Sequence, residues 1–179
     1  SLDYTNKNRP TPLNSSPDIG AFENDRAQPI YIKTYVPDDV FEFYLEGQGW
    51  GDGIAFNDSV LTENIQFLTQ LSVCCIGISD MTGIEDFTSL EHLQLRNMWQ
   101  LTYMNLSGLI TLNRINLENS SLSSLYLSTN TGLEYLTISN ANLTTIYLSG
   151  AISLDSVSFY HTHLTTLDLS NMPNLTTAI

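Results

Sequence analysis

Apolar residues recur through the second half of the chain at a spacing of 21 residues. The first column of aligned positions contains Leu112, Leu133, Leu154 and Leu175. The columns that follow contain Ile115, Leu136, Val157 and Ala178, and then Leu117, Ile138 and Phe159. A fixed period of this length is typical of a solenoid, in which each repeat forms one coil stacked on its neighbour. The pattern therefore predicts a solenoid, an architecture that presents a long regular surface and usually functions in binding.

Each repeat contains two LxxLxL halves, for example Leu133–Ile138 and Leu143–Leu148. Apolar and polar residues alternate within each half, as they do in a short strand with one face in the core. Equivalent strands of successive coils then pair in parallel about 4.8 Å apart, so about five coils give roughly 25 Å of solenoid. We therefore expect a β-rich fold with about two short, parallel-stacked strands in each coil.

The repeat spacing changes once, near the start of the array. Leu93 and Leu95 precede the later columns by 22 residues, and the spacing of 21 residues returns at Leu101. One residue is therefore inserted between Arg96 and Gln100, and we expect a local bulge there.

A different pattern precedes the repeats. Residues 30–36 alternate between apolar and polar side chains and predict a strand. Pro37, followed by Asp38 and Asp39, suits the beginning of a helix, and the apolar residues after them recur at helical spacing up to Gly47. A helix of about ten residues in this place predicts an N-terminal cap that covers the first coil.

The first residues of the chain carry a short motif of their own. Asp3, the pair Arg9-Pro10 and the run Asp18–Glu23 resemble the closing segment of right-handed parallel β-helices in large bacterial surface proteins. In that family the segment ends a long domain. The resemblance implies that this chain is a piece of a larger polypeptide.

The repeats also resemble a known family. The repeated pattern LxxLxLxxxxLxxLxLS is similar to the leucine-rich repeats of surface proteins from Bacteroidetes-type bacteria. The segments TYVPDDVFEFYLEGQGWGDGIAFNDSVLTENI and ISDMTGIEDFTSLEHL are similar to the cap and first repeat of that group, so the resemblance covers residues 34–179. It implies a secreted or surface-attached interaction module without catalytic activity.

One column departs from the family pattern. The family usually places asparagine just before the second leucine of each coil, where this chain has Ser120, Ala141 and Thr162. In the family this buried asparagine links turns through hydrogen bonds to the backbone, so we expect the array to be less regular or less stable there.

Three regions follow from these patterns. Residues 1–29 are expected to be the end of an upstream β-helix-like domain with a linker, residues 30–70 a strand and helical cap, and residues 71–179 the leucine-rich repeats. The repeats stop without a closing cap, and we therefore expect the array to be truncated at its C-terminus.

Candidate binding residues lie at the outward positions of the predicted strands. The first strand of each coil lines the concave, usual binding face of leucine-rich repeats, which gives as candidates His92, Arg96, Arg114, Tyr135 and Tyr160. On the second strand, Tyr126 and Tyr147 are one coil apart. They form either a structural ladder pair worth about 0.5–1 kcal/mol or an aromatic platform for sugar rings.

The charge and hydropathy of the chain indicate which kinds of partner it does not bind. Six Lys and Arg against 19 Asp and Glu give a net charge of −13, which disfavours nucleic acids and anionic lipids as ligands. No apolar run approaches the roughly 20 residues of a membrane span, so we expect no membrane insertion. The acidic, lysine-poor composition is typical of a secreted or outer-surface protein.

Cys74 and Cys75 are adjacent, and a bond between neighbours would close a strained ring. We therefore expect a small buried residue beside a loop thiol rather than a disulfide. His161 and His163 lack the third protein ligand of a zinc centre.

The acidic residues of the cap region do not follow the ligand order of a calcium loop, so helix capping and solvation explain Asp38, Asp39, Asp52 and Asp58. No nucleophile motif or phosphate-binding loop is present. We expect no cofactor, no metal and no catalytic residue.

Two triplets resemble the sites at which bacteria of the same group attach O-glycans. They are Asp58-Ser59-Val60 and Asp155-Ser156-Val157, and Ser59, which is expected in a loop, is the better candidate.

The favoured function is a non-catalytic extracellular binding or adhesion module that recognises a protein or glycan. A second hypothesis is an accessory segment of a secreted polysaccharide-degrading enzyme whose catalytic domain lies upstream. A third is a passive spacer or secretion cargo, whose partners are the parent polypeptide or the secretion machinery.

Overall fold

A computed structural model of the chain describes residues 30–75 and 77–179. The chain divides into two compact units, Ser1–Tyr31 and Ile32–Ile179, and the account below concerns the second. The motif that resembles the end of a β-helix lies outside the described residues.

The described part is mostly strand, with little helix. The strands are β1 (Lys33–Tyr35), β2 (Ser59–Leu61), β3 (Gln70–Cys74), β4 (His92–Met98), β5 (Arg114–Ser120), β6 (Ser124–Tyr126), β7 (Tyr135–Ala141), β8 (Thr145–Tyr147), β9 (Ser156–Thr162) and β10 (Thr177–Ala178). The helices are α1 (Asp39–Gly47), α2 (Thr62–Ile65) and a 3-10 turn (Ile84–Asp86).

Helix α1 is the predicted cap helix. The Asp38 carboxylate accepts hydrogen bonds from the backbone N–H of Val40 and Phe41 at 3.0 and 2.9 Å, which satisfies donors that the first helical turn leaves free. Its second oxygen accepts from the N–H of Ser79 at 2.9 Å, so the same side chain ties the helix to the first repeat. Phe41 and Leu45 are fully buried beneath the helix.

Strand β1 confirms the strand predicted over residues 30–36, but its antiparallel partner β2 was not predicted. Ser59 begins β2 opposite Tyr35, so the expectation that Ser59 lies in a loop is wrong. The strand has three residues and one buried side chain, Val60, which is too short to give a readable alternation.

The repeats form one parallel sheet with the strand order β10-β9-β7-β5-β4-β3. Leu95, Leu117, Ile138 and Phe159 are direct neighbours across its rungs, and the first three are 1% exposed. The sheet and its aligned core confirm the predicted β-solenoid.

The second sheet is smaller than expected. Within the described residues only β6 and β8 form it, while residues 103–105 and 166–168, at the equivalent positions, lie outside any strand. The expectation of a second strand therefore holds in two coils. Leu167, in the later of the two segments, is 41% exposed.

The register confirms the inserted residue but not the bulge. Met98 pairs with Ser120, which keeps the 22-residue offset to the end of β4. The extra residue lies in the turn Trp99–Gln100, which is closed by a hydrogen bond from the Leu101 N–H to the Met98 carbonyl at 3.2 Å. The insertion therefore falls after the ladder, where no partner strand has to accommodate it.

Every long strand of the sheet, and β3, meets a left-handed residue near its C-terminal end. These residues have φ between 49° and 65° and are Cys75, Asn97, Asn119, Asn140 and His161. Asparagine is one of the few residues that adopts this region easily, which accounts for its recurrence in the column.

The two cysteines form a disulfide, with an Sγ–Sγ distance of 2.03 Å, so the expectation of free thiols is wrong. Successive side chains of a strand point to opposite faces. The left-handed backbone of Cys75 breaks that alternation directly after Cys74, which brings both sulfurs to one side.

The asparagine that joins coils lies at a different place from the one considered above. Asn130 is fully buried and donates from Nδ2 to the carbonyls of Leu106 and Leu109, both at 3.0 Å. At the position where the family pattern suggested asparagine, Ser120 and Ala141 are buried small residues that end their strands.

Candidate functional site

The outward side chains of the parallel sheet form three rows, together called the sheet face. The first row contains Gln70, His92, Arg114, Tyr135, Ser156 and Thr177. The second row contains Ser72, Gln94, Asn116, Thr137 and Ser158. The third row contains Cys74, Arg96, Glu118, Ser139 and Tyr160. Five of the predicted binding residues are therefore on one surface.

Three of these five residues are direct neighbours in the first row, on adjacent strands. His92, Arg114 and Tyr135 follow one another on β4, β5 and β7. The Arg114 guanidinium carbon lies 4.4 Å from the centre of the Tyr135 ring, within the range of a cation–π interaction. The ring holds the exposed guanidinium in a defined position on the sheet face.

The other two predicted residues are not brought together. Arg96 and Tyr160 both belong to the third row, but Glu118 and Ser139 separate them. Three rungs correspond to about 14 Å, so one small ligand group does not contact both side chains.

The sheet face differs in charge from the rest of the protein. Residues 71–179 contain two basic side chains, Arg96 and Arg114, and both are exposed on this face. Among its outward residues Glu118 is the one acidic group, although the chain carries 19 Asp and Glu. The two arginines therefore give this face positive charges that the rest of the repeats lack, with Glu118 opposite Arg96.

Tyr126 and Tyr147 lie on the outward side of the β6–β8 sheet. Their rings are stacked, with centres 4.6 Å apart and planes within 9°, and the side chains are 51% and 46% exposed. The inward residues of both sheets share one core, so this tyrosine pair occupies a second surface, separate from the sheet face. The stacked, exposed rings fit both predicted roles, a structural ladder pair and an aromatic platform.

Asp168 lies beside this pair, in a small cavity of about 120 Å³ that Tyr147 also lines. Hydrogen bonds from the hydroxyl and the backbone N–H of Ser170 lower the pKa of Asp168 below its ordinary value. The carboxylate therefore stays ionised at neutral pH.

Three carboxylates of the cap region come within 4.8 Å of one another: Asp39, Glu42 and Asp58. Glu42 is fully buried, and its two oxygens accept hydrogen bonds from the N–H groups of Asn57 and Asp58 at 3.0 and 3.1 Å. The buried carboxylate thus holds the loop before β2 onto helix α1.

Asp38 and Asp52, also in the cap region, have structural partners. Burial raises the pKa of Asp38, but the hydrogen bonds from Ser79 and Phe41 outweigh it and the net pKa is lowered. Asp52 forms an ion pair with Lys33 at 2.6 Å. Burial raises the pKa of Asp52, but the contact with Lys33 and the hydrogen bonds from Asn57 and the Ile54 N–H together outweigh it, so the net pKa is lowered.

The two candidate modification sites have different surroundings. The Ser59 hydroxyl donates to the Asn57 side-chain oxygen at 3.0 Å and accepts from the Lys33 ammonium at 3.3 Å. Ser156 begins β9 within the main sheet, between Tyr135 and Thr177, and is half-buried. O-glycosylation at either serine stays a prediction.

Sequence reasoning missed one concave feature. Cys75, Gly77, Asn97, Trp99 and Gln100 line an open groove of about 480 Å³ beyond the C-terminal ends of β3 and β4. The inserted residue was the available signal, since it marks this coil as different from its neighbours.

The stacked parallel coils with an inward leucine column define a leucine-rich-repeat solenoid, and comparison with one solved structure, InlF, supports this fold. The internalin InlF of Listeria monocytogenes aligns with a TM-score of 0.61 and 21% identity, over 80% of this chain and 43% of that one. The functional domain of InlJ from the same organism, described as including a cysteine ladder, aligns with a TM-score of 0.47 and 24% identity, over 82% and 37%. The internalin InlC2 gives 0.33 and 18%, over 82% and 88%.

The chain thus spans less than half the length of the first two structures. No protein-family model and no curated protein matches it. In the described part, every helix is too short or too polar to cross a membrane.

Proposed function

We propose that this chain is a non-catalytic binding or adhesion module that recognises a protein or glycan through the sheet face. The observation that carries the proposal is the row His92–Arg114–Tyr135, in which an exposed arginine is stacked on an aromatic ring. Tyrosine and arginine are the residues that most often dominate binding energies at interfaces.

The shape of the face supports a macromolecular ligand. Its outward side chains form a regular surface of extended rows rather than an enclosed cleft. A surface of this kind suits an extended contact with a partner. Because both basic residues of the repeats lie on it, the ligand surface that it complements is acidic.

The proposal includes a location outside the cell. The Cys74–Cys75 disulfide is of a type that persists in oxidising compartments, and the acidic composition fits export. We further propose that the chain acts as part of a larger polypeptide handled by a secretion system, as its resemblance to bacterial surface proteins implies.

The test is binding of the whole chain to a glycan array and to immobilised laminin, fibronectin and collagen. For a ligand bound at the sheet face, Arg114→Ala and Tyr135→Ala should each weaken binding about tenfold or more, and added salt should weaken it further. Tyr126→Ala is the matched control, because it removes an exposed tyrosine from the other surface.

Two outcomes contradict the proposal. Uniform silence on the array and the matrix proteins would favour a passive spacer or secretion cargo. Binding that Tyr126→Ala abolishes and Arg114→Ala leaves unchanged would place the ligand on the β6–β8 surface instead.

A further inference from the structure

The groove beside Trp99 lies where the repeat is irregular. In four coils the left-handed residue and the inward apolar residue that begins the second half of the coil are three positions apart: 75 and 78, 119 and 122, 140 and 143, and 161 and 164. In the coil of Asn97 the separation is four positions, to Leu101. The additional residue therefore enlarges one coil relative to the coils on both sides of it.

The enlarged turn presents a tryptophan to solvent. Trp99 is 59% exposed, whereas the chain's other tryptophan, Trp50, packs edge-on against Tyr44 with ring centres 6.4 Å apart. The Trp99 carbonyl accepts a hydrogen bond from the Ser121 hydroxyl at 2.6 Å, which anchors the turn to the following coil. An anchored backbone with an outward indole is suited to contact with a ligand.

The amide on the groove wall is held in place. Asn97 donates from Nδ2 to the Cys75 sulfur at 3.1 Å, and its side-chain oxygen accepts from the Asn119 amide at 2.7 Å. These two contacts fix which end of the Asn97 amide is oxygen and which is nitrogen, and the oxygen retains a second lone pair.

The Gln100 amide and Gly77 form another part of the groove. Gln100 lies over Gly77, with its side-chain oxygen 3.1 Å from the point where a Cβ would stand, so glycine gives the glutamine room. Cys75 lines the groove with a disulfide sulfur rather than a thiol, and this sulfur is polarisable. The groove volume of about 480 Å³ lies within the range of small-ligand sites.

The described residues that line the groove are uncharged, although the protein carries a net charge of −13. A ligand that matches it has one apolar face for the indole, hydroxyl groups for the two amides, and no charge. A neutral sugar ring has this combination. We propose that the groove formed by Asn97, Trp99 and Gln100 binds a neutral saccharide unit, as a second site distinct from the sheet face.

The test is titration of the whole chain with neutral oligosaccharides, namely xylohexaose, mannohexaose, cellohexaose and maltohexaose. The variant Trp50→Phe leaves Trp99 as the single tryptophan, so its emission reports on the groove directly. At least one sugar should shift that emission, and Trp99→Ala and Gln100→Ala should each weaken its binding, measured by calorimetry, about tenfold for the tryptophan change.

Two controls separate this site from the one proposed above. Tyr103→Ala removes a side chain that is 60% exposed on the same coil but outside the groove, and should leave sugar binding unchanged. Arg114→Ala should do the same, even where it abolishes binding of a sheet-face ligand.

The inference is overturned if none of the four sugars binds at millimolar concentration, or if Trp99→Ala binds as tightly as the unmodified chain. It is equally overturned if the Trp99 emission responds to an uncharged leucine-rich peptide and to no sugar, since the groove would then bind protein side chains.

Discussion

Asn130 offers the sharpest test of how the coils are held together. It is fully buried, and its amide nitrogen donates to two carbonyls of the preceding coil, those of Leu106 and Leu109. Each carbonyl also accepts a backbone hydrogen bond, from Leu109 and Leu112 respectively. Asn130→Ala therefore removes two hydrogen bonds without leaving either carbonyl wholly unpaired.

The magnitude follows from these contacts. Two hydrogen bonds at about 1 kcal/mol each give about 2 kcal/mol. Among the described residues the side-chain oxygen of Asn130 finds no hydrogen-bond partner, so its removal offsets part of that loss. We expect Asn130→Ala to lower the free energy of unfolding by about 1–2 kcal/mol.

The variant Asn130→Asp separates hydrogen bonding from packing, because it keeps the size of the side chain. A carboxylate cannot donate to the two carbonyls, and its charge would be buried without a partner. We expect a loss of about 3–5 kcal/mol at pH 7. The loss should shrink as the pH falls and the carboxyl becomes protonated, since the neutral acid can again donate one hydrogen bond.

Urea unfolding followed by circular dichroism measures both variants. With a slope near 2 kcal/mol per molar urea, Asn130→Ala should lower the midpoint by about 0.5–1 M without a change in slope. An aspartate variant that is as stable as the alanine variant at pH 7 would refute the reasoning, because it would mean that water reaches the site.

Three further predictions concern other parts of the fold. Gly150→Ala should destabilise the array by about 1–3 kcal/mol, because a Cβ there would overlap the backbone of the preceding coil, while Gly47→Ala, where the space is open, should change stability by less than about 0.5 kcal/mol. Asp38→Ala should cost about 1 kcal/mol at pH 6 through loss of the helix cap; since the folded pKa of Asp38 lies below 3.8, this difference should persist above that pH and vanish as the pH falls through the folded value. The protein unfolded without reductant should show no titratable thiol, and two after reduction; thiols in the unreduced sample would contradict the disulfide.

The repeat pattern was sufficient to predict the core of the array. Leu117, Ile138 and Phe159 align because the repeat period, once known, determines which residues of each coil face the core. The same alternation placed Arg114 and Tyr135 on the outward side, although their stacking depends on side-chain conformations that spacing does not encode.

The features that escaped prediction depend on contacts between distant or very short segments. Strand β2 exists because it pairs with β1, not because its three residues favour a strand. The disulfide follows from a left-handed backbone at Cys75 that no local sequence signal marks. The groove at Trp99 could not be predicted, because the sequence does not show on which surface of the coil the inserted residue lies.

The strict register of the main sheet has a consequence for how such a surface changes. Outward side chains form a lattice with about 4.8 Å between coils and about 7 Å between rows. The core is formed by different residues, the inward side chains that alternate with them along each strand. An outward side chain can therefore be changed without disturbing the core, although coupled neighbours such as Arg114 and Tyr135 change together. Duplication of a whole coil would add one strand, with its outward side chains, to the sheet face and leave the existing strands in place.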